Sequence, residues 1–169
     1  MILDVSRALK SAGELFPFHV EEEIPAQEIY GEEITFTQIE LTGRYSATED
    51  DIAIFGTLTG KVHAICANCL KEAVISIDVP FSEIFIREGD AEDPDVFLYT
   101  GGAIDISRLA MTTAVLALPM RFLCGKDCRG VCPDCGGDLN LNQCLCHKQT
   151  GADNPFAALK QLLDQDEEV

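Results

Sequence analysis

The sequence predicts an α+β fold, with an antiparallel β-sheet or partly closed barrel, one packing helix and a C-terminal cysteine-rich zinc module. Short runs with the two-residue period of β-strands recur from Leu15 to Tyr99. A helical period replaces them from Asp105 onward. Six of the eight cysteines then fall within the 23 residues from Cys124 to Cys146, which is a density typical of metal modules.

We expect a domain boundary after residue 120. Residues 1–120 are predicted to form a strand-rich α+β domain with a CxxC hairpin, and 121–169 a cysteine-rich zinc module with a C-terminal helix. Residues 1–12 of the first domain predict a short amphipathic helix. The strand-like runs that follow are 15–20, 33–42, 52–65, 72–86 and 96–99.

Two of these strand-like runs contain irregular positions. The run 33–42 alternates imperfectly, because Gln38 and Glu40 fall on the face of the apolar Ile34. In the run 52–65, Gly56 and Gly60 predict bends or bulges. The run 72–86 places its apolar residues on one face, namely Ala73, Ile75, Ile77, Val79 and Phe81.

Two helices are predicted in the C-terminal half. Asp105 can cap a helix that runs through Leu118, and Pro119 follows its last turn. Asn154 and Pro155 supply an N-cap and a first helical position for a short amphipathic helix with Phe156, Leu159, Leu162 and Leu163. The buried stripe expected for the first helix consists of Ile106, Leu109, Ala110, Thr113, Leu116 and Ala117.

Length and composition indicate a cytoplasmic protein with a hydrophobic core. Of its 169 residues, 47% are hydrophobic, yet no run of 18 apolar residues is present to span a membrane. The first ten residues lack the basic and apolar regions of a signal peptide. The cytosol keeps thiols reduced, so metal binding explains eight cysteines better than disulfides do.

The net charge of -17 argues against broad affinity for nucleic acids. Residues 11–50 hold ten acidic side chains against Arg44 alone, and residues 78–105 hold eight against Arg87 alone. Such a surface suits a basic protein partner, which long-range fields would steer toward it. Solubility is the competing explanation, and the charge alone does not decide between the two.

The eight cysteines divide into two sets of four, which is the number of ligands that tetrahedral Zn²⁺ sites take. Cys66 and Cys69 form a CxxC knuckle at the tip of a hairpin, and Cys132 and Cys135 form a second knuckle. We therefore expect two zinc sites of the zinc-ribbon type. The predicted ligands are Cys66, Cys69, Cys124 and Cys128 for the first site, and Cys132, Cys135, Cys144 and Cys146 for the second.

Alternatives to this assignment remain open. Cys124 and Cys128 could instead join the knuckle beside them, and His147 could replace Cys146 as a ligand. His19 and His63 lie in strand-like runs, where packing explains them better than ligation does. The first site as assigned would connect the exit of the helix to the hairpin, so its loss would loosen the fold.

The order of these motifs resembles the YceD family of large ribosomal RNA subunit accumulation proteins. The matching parts are Cys66-Ala-Asn-Cys69-Leu70, Ile104-Asp-Ile106, Leu116-Ala-Leu-Pro119, the run from Cys124 to Cys146 and Asn154-Pro-Phe-Ala-Ala-Leu159. Asn68 stands where the family usually has Arg, so a functional contact made by that Arg would be absent here.

The resemblance implies a cytoplasmic, non-catalytic factor that supports accumulation of the large-subunit (23S) ribosomal RNA. It also implies a link to a small basic protein of that subunit, or to a pre-ribosomal particle, with no membrane and no small-molecule substrate. Contact with ribosomal RNA through such a partner would be indirect, and direct contact stays an open alternative.

Two other functions are compatible with the sequence. The first is direct binding of ribosomal RNA by the zinc module, where Arg121, Lys126, Arg129 and Lys148 stand against Asp127, Asp134 and Asp138. The second is a redox-regulated chaperone that releases zinc on oxidation, although Cys132 to Cys135 lacks the βαβ context of thioredoxin-like enzymes. No phosphate-binding glycine loop, GxSxG elbow or HExxH motif predicts an enzyme.

Overall fold

The computed structural model describes residues 1–29, 31–49, 51–87, 96–142 and 144–146. The predicted C-terminal helix at 154–163, His147 and the acidic segment 88–95 lie outside the described residues. The helices and strands in chain order are β1 (Ile2–Asp4), α1 (Ser6–Lys10), β2 (Phe16–Glu22), β3 (Gln27–Ile29), β4 (Glu32–Thr48), β5 (Asp51–Ile65), β6 (Glu72–Arg87), β7 (Phe97–Tyr99), β8 (Ala103–Asp105) and α2 (Ser107–Leu116).

The main sheet has the strand order β2-β4-β5-β6-β7, with β3 paired to β4, and β1 pairs with β8 in a separate two-stranded sheet. The pairs up to β6 are antiparallel, as predicted, whereas β7 runs parallel to β6. Within the described strands, β2 and β7 stand at opposite ends of the order. The architecture is therefore mostly an open sheet with few helices, and the partial barrel closure expected from the sequence is not found there.

The three long strands β4, β5 and β6 bury one face and expose the other. In β5 the even-numbered residues Ile52, Ile54, Leu58 and Val62 are fully buried, while Phe55 on the opposite face is 39% exposed. Burying one such side chain stabilises the fold by about 1.5–3 kcal/mol. The core of the sheet unit therefore follows directly from the two-residue period of the sequence.

A β-bulge explains the imperfect alternation of the run 33–42. The register between β4 and β5 shifts between Thr37 and Glu40, and Gln38 within the bulge has φ 54°. The extra residue returns Ile39 to the buried face that Ile34 occupies. Gly60 makes room for this, because a Cβ there would overlap Cδ1 of Ile39. The bulge therefore lies in β4, opposite Gly60, whereas β5 keeps an unbroken register with β6 through Gly56 and Gly60, so the bulges predicted at these glycines are not found in β5.

Gly43 of β4 lies directly opposite Gly56 of β5. A Cβ on Gly43 would lie 2.8 Å from Cα of Gly56 and would overlap the carbonyl oxygen of Phe55. The two backbones therefore approach at a point where no side chain fits, which is one reason for glycine inside a strand.

Helix α2 differs in part from its predicted form. It ends at Leu116 rather than Leu118. Of its buried residues, Ala110 and Ala114 follow the four-residue step from Ile106, and Leu109 lies three residues after Ile106. Leu116, which was predicted to be buried, is 80% exposed because it lies in the last turn. The carboxylate of Asp105 accepts a hydrogen bond from the Ser107 N–H at 3.0 Å, so its predicted capping contact is present one residue before the N-cap position, Ile106.

The chain divides into two compact units. The sheet unit contains Met1–Cys66 and Lys71–Cys124, and the cysteine-rich unit contains Ala67–Leu70 and the described residues from Gly125 onward. A domain boundary after residue 120 stays a prediction. Among the described residues, neither helix has the length and apolar character that crossing a membrane requires.

Candidate metal centres

Cys66 and Cys69 lie at the turn that joins β5 to β6, as the sequence predicts. The backbone N–H of Cys66 donates to the carbonyl of Lys71 at 2.7 Å, which closes the turn directly after Ile65. Leu70 follows Cys69 with φ 59°, a left-handed conformation that reverses the chain. The turn therefore holds the two cysteines as a knuckle, with both side chains buried.

The first cysteine group consists of Cys66, Cys69, Cys124 and Cys128. Their four sulfur atoms all lie within 4.8 Å of one another. Cys124 is exposed and Cys128 is half-buried, in contrast to the buried pair of the hairpin. Four residues that are distant in sequence thus present their thiols to one point, which is the arrangement that a tetrahedral metal site requires.

The second knuckle is formed by Cys132 and Cys135. The backbone N–H of Gly136 donates to the Cys132 carbonyl at 2.9 Å, and the Cys132 N–H donates to the carbonyl of Gly137 at 2.8 Å. Gly136 has φ 69°, so this turn uses the left-handed conformation that glycine adopts without strain. A bridge between Val131 and Asp138 extends the same loop.

The second cysteine group consists of Cys132, Cys135, Cys144 and Cys146, with all four sulfurs within 4.8 Å of one another. The sulfurs of Cys132 and Cys144 are 3.3 Å apart, and the Cys146 N–H points at the Cys144 sulfur at 3.3 Å. N–H donors of this kind stabilise thiolate charge. The four sulfurs of this group are thus close together, and one of them also accepts an N–H that favours its ionised form.

The thiols of the second group titrate unequally. A hydrogen bond from the Cys135 backbone, followed by contacts with Cys144 and the Asp134 backbone, lowers the pKa of Cys132 to about 7. The pKa of Cys146 is raised to about 12, first by its hydrogen bond with Cys144 and then by one with Cys135. Thiolate charge therefore develops at Cys132 at a lower pH than at Cys146.

Both groups fit a bound Zn²⁺. With Zn–S bonds of about 2.3 Å, the sulfurs of a tetrahedral site lie about 3.8 Å apart, which four sulfurs within 4.8 Å of one another can satisfy. A four-thiolate site has no open position for a substrate, so the metal would supply structural closure. The structure groups the cysteines as the sequence predicts, while metal ligation and the identity of the metal stay predictions.

The histidines considered as ligands lie elsewhere. The ring of His19 bonds to the Thr42 hydroxyl at 3.0 Å, and the His63 ring contacts Thr37 at 3.1 Å and Glu72 at 2.9 Å. Neither histidine belongs to a metal-compatible group within the described part of the chain. Their contacts with neighbouring strands are polar, on the exposed face of the sheet.

Residues beside the cysteines carry contacts that sequence reasoning missed. The Asn68 side chain donates to the Cys128 carbonyl at 3.0 Å, and its backbone carbonyl accepts from the Val131 N–H at 3.1 Å. Gly130 has φ 76°, and a Cβ there would lie 2.8 Å from the Asn68 carbonyl oxygen. The Asn140 amide donates to the Cys128 sulfur at 3.6 Å. The Asp-Leu-Asn run before Cys144 could have predicted such contacts, because Asp and Asn side chains often hydrogen-bond to nearby backbone groups.

The sheet unit contains an acidic cleft with a volume of about 510 Å³. Glu21 lies directly opposite Glu40 in the antiparallel register of β2 and β4, although like charges at such positions are destabilising. The residues that line this cleft are Glu21, Glu22, Glu23, Gln38, Ile39 and Glu40.

Comparison with known proteins agrees with the cysteine pattern. The family model described as "Large ribosomal RNA subunit accumulation protein YceD" matches residues 54–163, which include both knuckles. The chain belongs to the YceD family. The match begins inside β5, so the strand-rich region before β5 lies outside it, and the matched span covers the hairpin, α2 and the cysteine-rich segment.

Curated relatives extend the similarity to nearly the whole chain. An uncharacterized protein of Mycobacterium tuberculosis is 27% identical over 171 residues, covering 96% of this chain and 81% of that protein. The uncharacterized protein YlbN of Bacillus subtilis is 27% identical over 133 residues, or 77% of each chain. No solved structure matches this chain significantly.

Proposed function

We propose that this protein is a non-catalytic, zinc-binding assembly factor of the cytoplasm that supports accumulation of the large-subunit ribosomal RNA, acting through a basic ribosomal protein of that subunit. The family match carries the proposal, because the YceD description names large-subunit ribosomal RNA accumulation. The two cysteine groups support a structural role for zinc, since four thiolates leave no position for a reacting group.

The acidic cleft supports a basic protein as the partner. The net charge of -17 would attract a cationic protein over long range, and the opposed pair of Glu21 and Glu40 would be relieved by a cationic side chain between them. An RNA backbone would instead meet repulsion at this surface. Within the described cysteine-rich unit, the basic Lys126 and Arg129 are outnumbered by the acidic Asp127, Asp134 and Asp138, so the charge of this unit gives little support to direct RNA contact.

Charge reversal at the cleft tests this proposal. The triple variant Glu21→Lys/Glu22→Lys/Glu23→Lys should bind purified basic large-subunit ribosomal proteins at least about tenfold more weakly at low salt, because electrostatic steering is lost. A strain carrying it should show a lower ratio of large-subunit to small-subunit ribosomal RNA. The matched control is Glu28→Lys/Glu32→Lys/Glu33→Lys, which makes the same charge change at exposed positions of β3 and β4.

Equal binding by both triple variants would contradict the acidic cleft as the partner site. Binding of a ribosomal RNA fragment by the wild type, with a steep salt dependence, would favour the direct RNA-binding alternative. An unchanged ribosomal RNA ratio after deletion of the gene would contradict the assembly role itself.

A further inference from the structure

The two cysteine groups are separated by only three residues along the chain. Cys128 belongs to the first group and Cys132 to the second, with Arg129, Gly130 and Val131 between them. The Gly130 carbonyl accepts a hydrogen bond from the Leu139 N–H at 3.0 Å. This short connection therefore lies against the loop that follows the second knuckle.

Asn140 in that loop contacts Cys128 directly. Its Nδ2 donates to the Cys128 sulfur at 3.6 Å, and its Oδ1 accepts from the Arg129 N–H at 2.8 Å. The carboxylate of Asp138 accepts from the backbone N–H of Asn140 at 2.8 Å and from Nδ2 at 2.9 Å. These partners orient the amide with its N–H toward the sulfur, since the Arg129 N–H needs an acceptor.

The loop that carries Asn140 is bounded by cysteines of the second group. It follows Cys135 and precedes Cys144, and the second group brings the sulfurs of these two residues together. A metal held by those thiolates would close the loop at both ends. Such closure would add to the hydrogen bonds that hold Asn140 against Cys128.

We propose that Asn140 is a positioning residue that couples the two groups, so that Zn²⁺ in the second group raises the affinity of the first group for Zn²⁺. Four thiolates around one Zn²⁺ leave a net charge of two minus, which an N–H donor to sulfur stabilises. Mutation of a residue that hydrogen-bonds to a metal ligand typically lowers the metal affinity by about 10–100-fold. This inference rests on the metal binding of the proposed function and adds to it a coupling between the two groups, which is reciprocal.

Alkylation of single cysteines can follow each group separately. Cys124 is the exposed member of the first group and Cys135 is the exposed member of the second, so a thiol reagent reaches each one when metal is absent. The full chain is equilibrated with buffered free Zn²⁺, alkylated, and analysed by mass spectrometry. Protection of Cys124 then reports the first group, and protection of Cys135 reports the second.

The variant Asn140→Asp keeps an oxygen for the Arg129 N–H but removes the N–H donor to the Cys128 sulfur. We expect it to raise the Zn²⁺ concentration that half-protects Cys124 about tenfold, with a change at Cys135 no larger than this, because coupling between two sites is reciprocal. Asn142→Asp makes the same charge change two residues along the chain, at an exposed position. It should leave unchanged the Zn²⁺ concentrations that half-protect Cys124 and Cys135. Circular dichroism of both variants checks that they fold.

Disabling the second group separates coupling from a purely local effect. In a Cys132→Ser/Cys135→Ser chain, protection of Cys124 should need about tenfold more Zn²⁺ than in the wild type, and Asn140→Asp should then change it by less than about twofold. An equal loss in both backgrounds, or no loss in the intact chain, would overturn the coupling while leaving zinc binding intact. A wild type whose cysteines Zn²⁺ does not protect would overturn both proposals.

Discussion

The sheet unit and the cysteine-rich unit obtain their stability by different means. In the sheet unit, the strands β4, β5 and β6 contribute a row of fully buried apolar side chains, including Ile34, Leu58 and Phe85. In the described residues from Gly125 to Cys146, Cys132 is the buried hydrophobic side chain. The hydrophobic effect therefore stabilises the fold of the sheet unit, whereas the apolar core of the cysteine-rich unit is too small to stabilise that unit.

This difference predicts what each unit depends on. Ordering one residue costs about 1–2 kcal/mol of backbone entropy, which the cysteine-rich unit cannot offset by apolar burial. Binding of structural Zn²⁺ contributes about 10–16 kcal/mol in zinc-finger peptides, and that free energy becomes folding free energy. Perturbing each unit by itself therefore tests whether the two units differ in their source of stability.

The largest effect is expected from losing the second cysteine group. Cys132→Ser/Cys135→Ser should lower the zinc content from two ions per chain to one, because two of four ligands cannot hold the metal. Hydrogen exchange of the loop from Gly136 to Asn142 should become fast, since the closure of that loop is lost. Mass spectrometry measures both quantities.

The sheet provides the control for that experiment. Amides of β5 should keep their slow exchange in the double cysteine variant, because the core of the sheet does not use these thiols. Loss of protection in both units would contradict the proposed division of stability.

An intermediate effect is expected from the core of the sheet. Leu58 is fully buried in the middle of β5, so Leu58→Ala should lower the free energy of unfolding by about 2–5 kcal/mol. Denaturant unfolding followed by circular dichroism measures it. Leu116→Ala removes the same atoms at a position that is 80% exposed and should change stability by less than about 0.5 kcal/mol. Similar losses in the two variants would contradict the assigned core.

A smaller effect is expected at the closest approach of two strands. Gly43→Ala adds a methyl group where the backbone of Phe55 and Gly56 leaves no space, which should cost about 1–3 kcal/mol. Gly125→Ala is the matched control, because no atom lies within 4 Å of the added Cβ. Thermal unfolding compares the two, and a stable Gly43→Ala variant would indicate that the strands can separate at little cost.

Much of the fold could be predicted from the sequence because its signals are local. The period of two places β2, β5, β6 and β7 close to their observed bounds, whereas β4 extends to Thr48, beyond the predicted run, and β3 was not predicted. The position of Cys66 between two such runs identifies the hairpin tip. The parallel pairing of β7 and the exposure of Leu116 were missed, since both depend on which elements pack beside them. No local pattern carries that information.

In the candidate metal centres, too, the sequence determined some features and the tertiary structure determined others. Cysteine count and spacing by themselves determined that the chain has two knuckles and enough thiols for two tetrahedral groups, because a CxxC turn is a local geometry. Tertiary structure decided between the two assignments that the sequence left open for Cys124 and Cys128. It alone showed that a bulge at Gln38 restores the buried face of β4 and that the Asn140 amide meets the Cys128 sulfur. Each of these depends on the three-dimensional path of the chain, which sequence spacing does not specify.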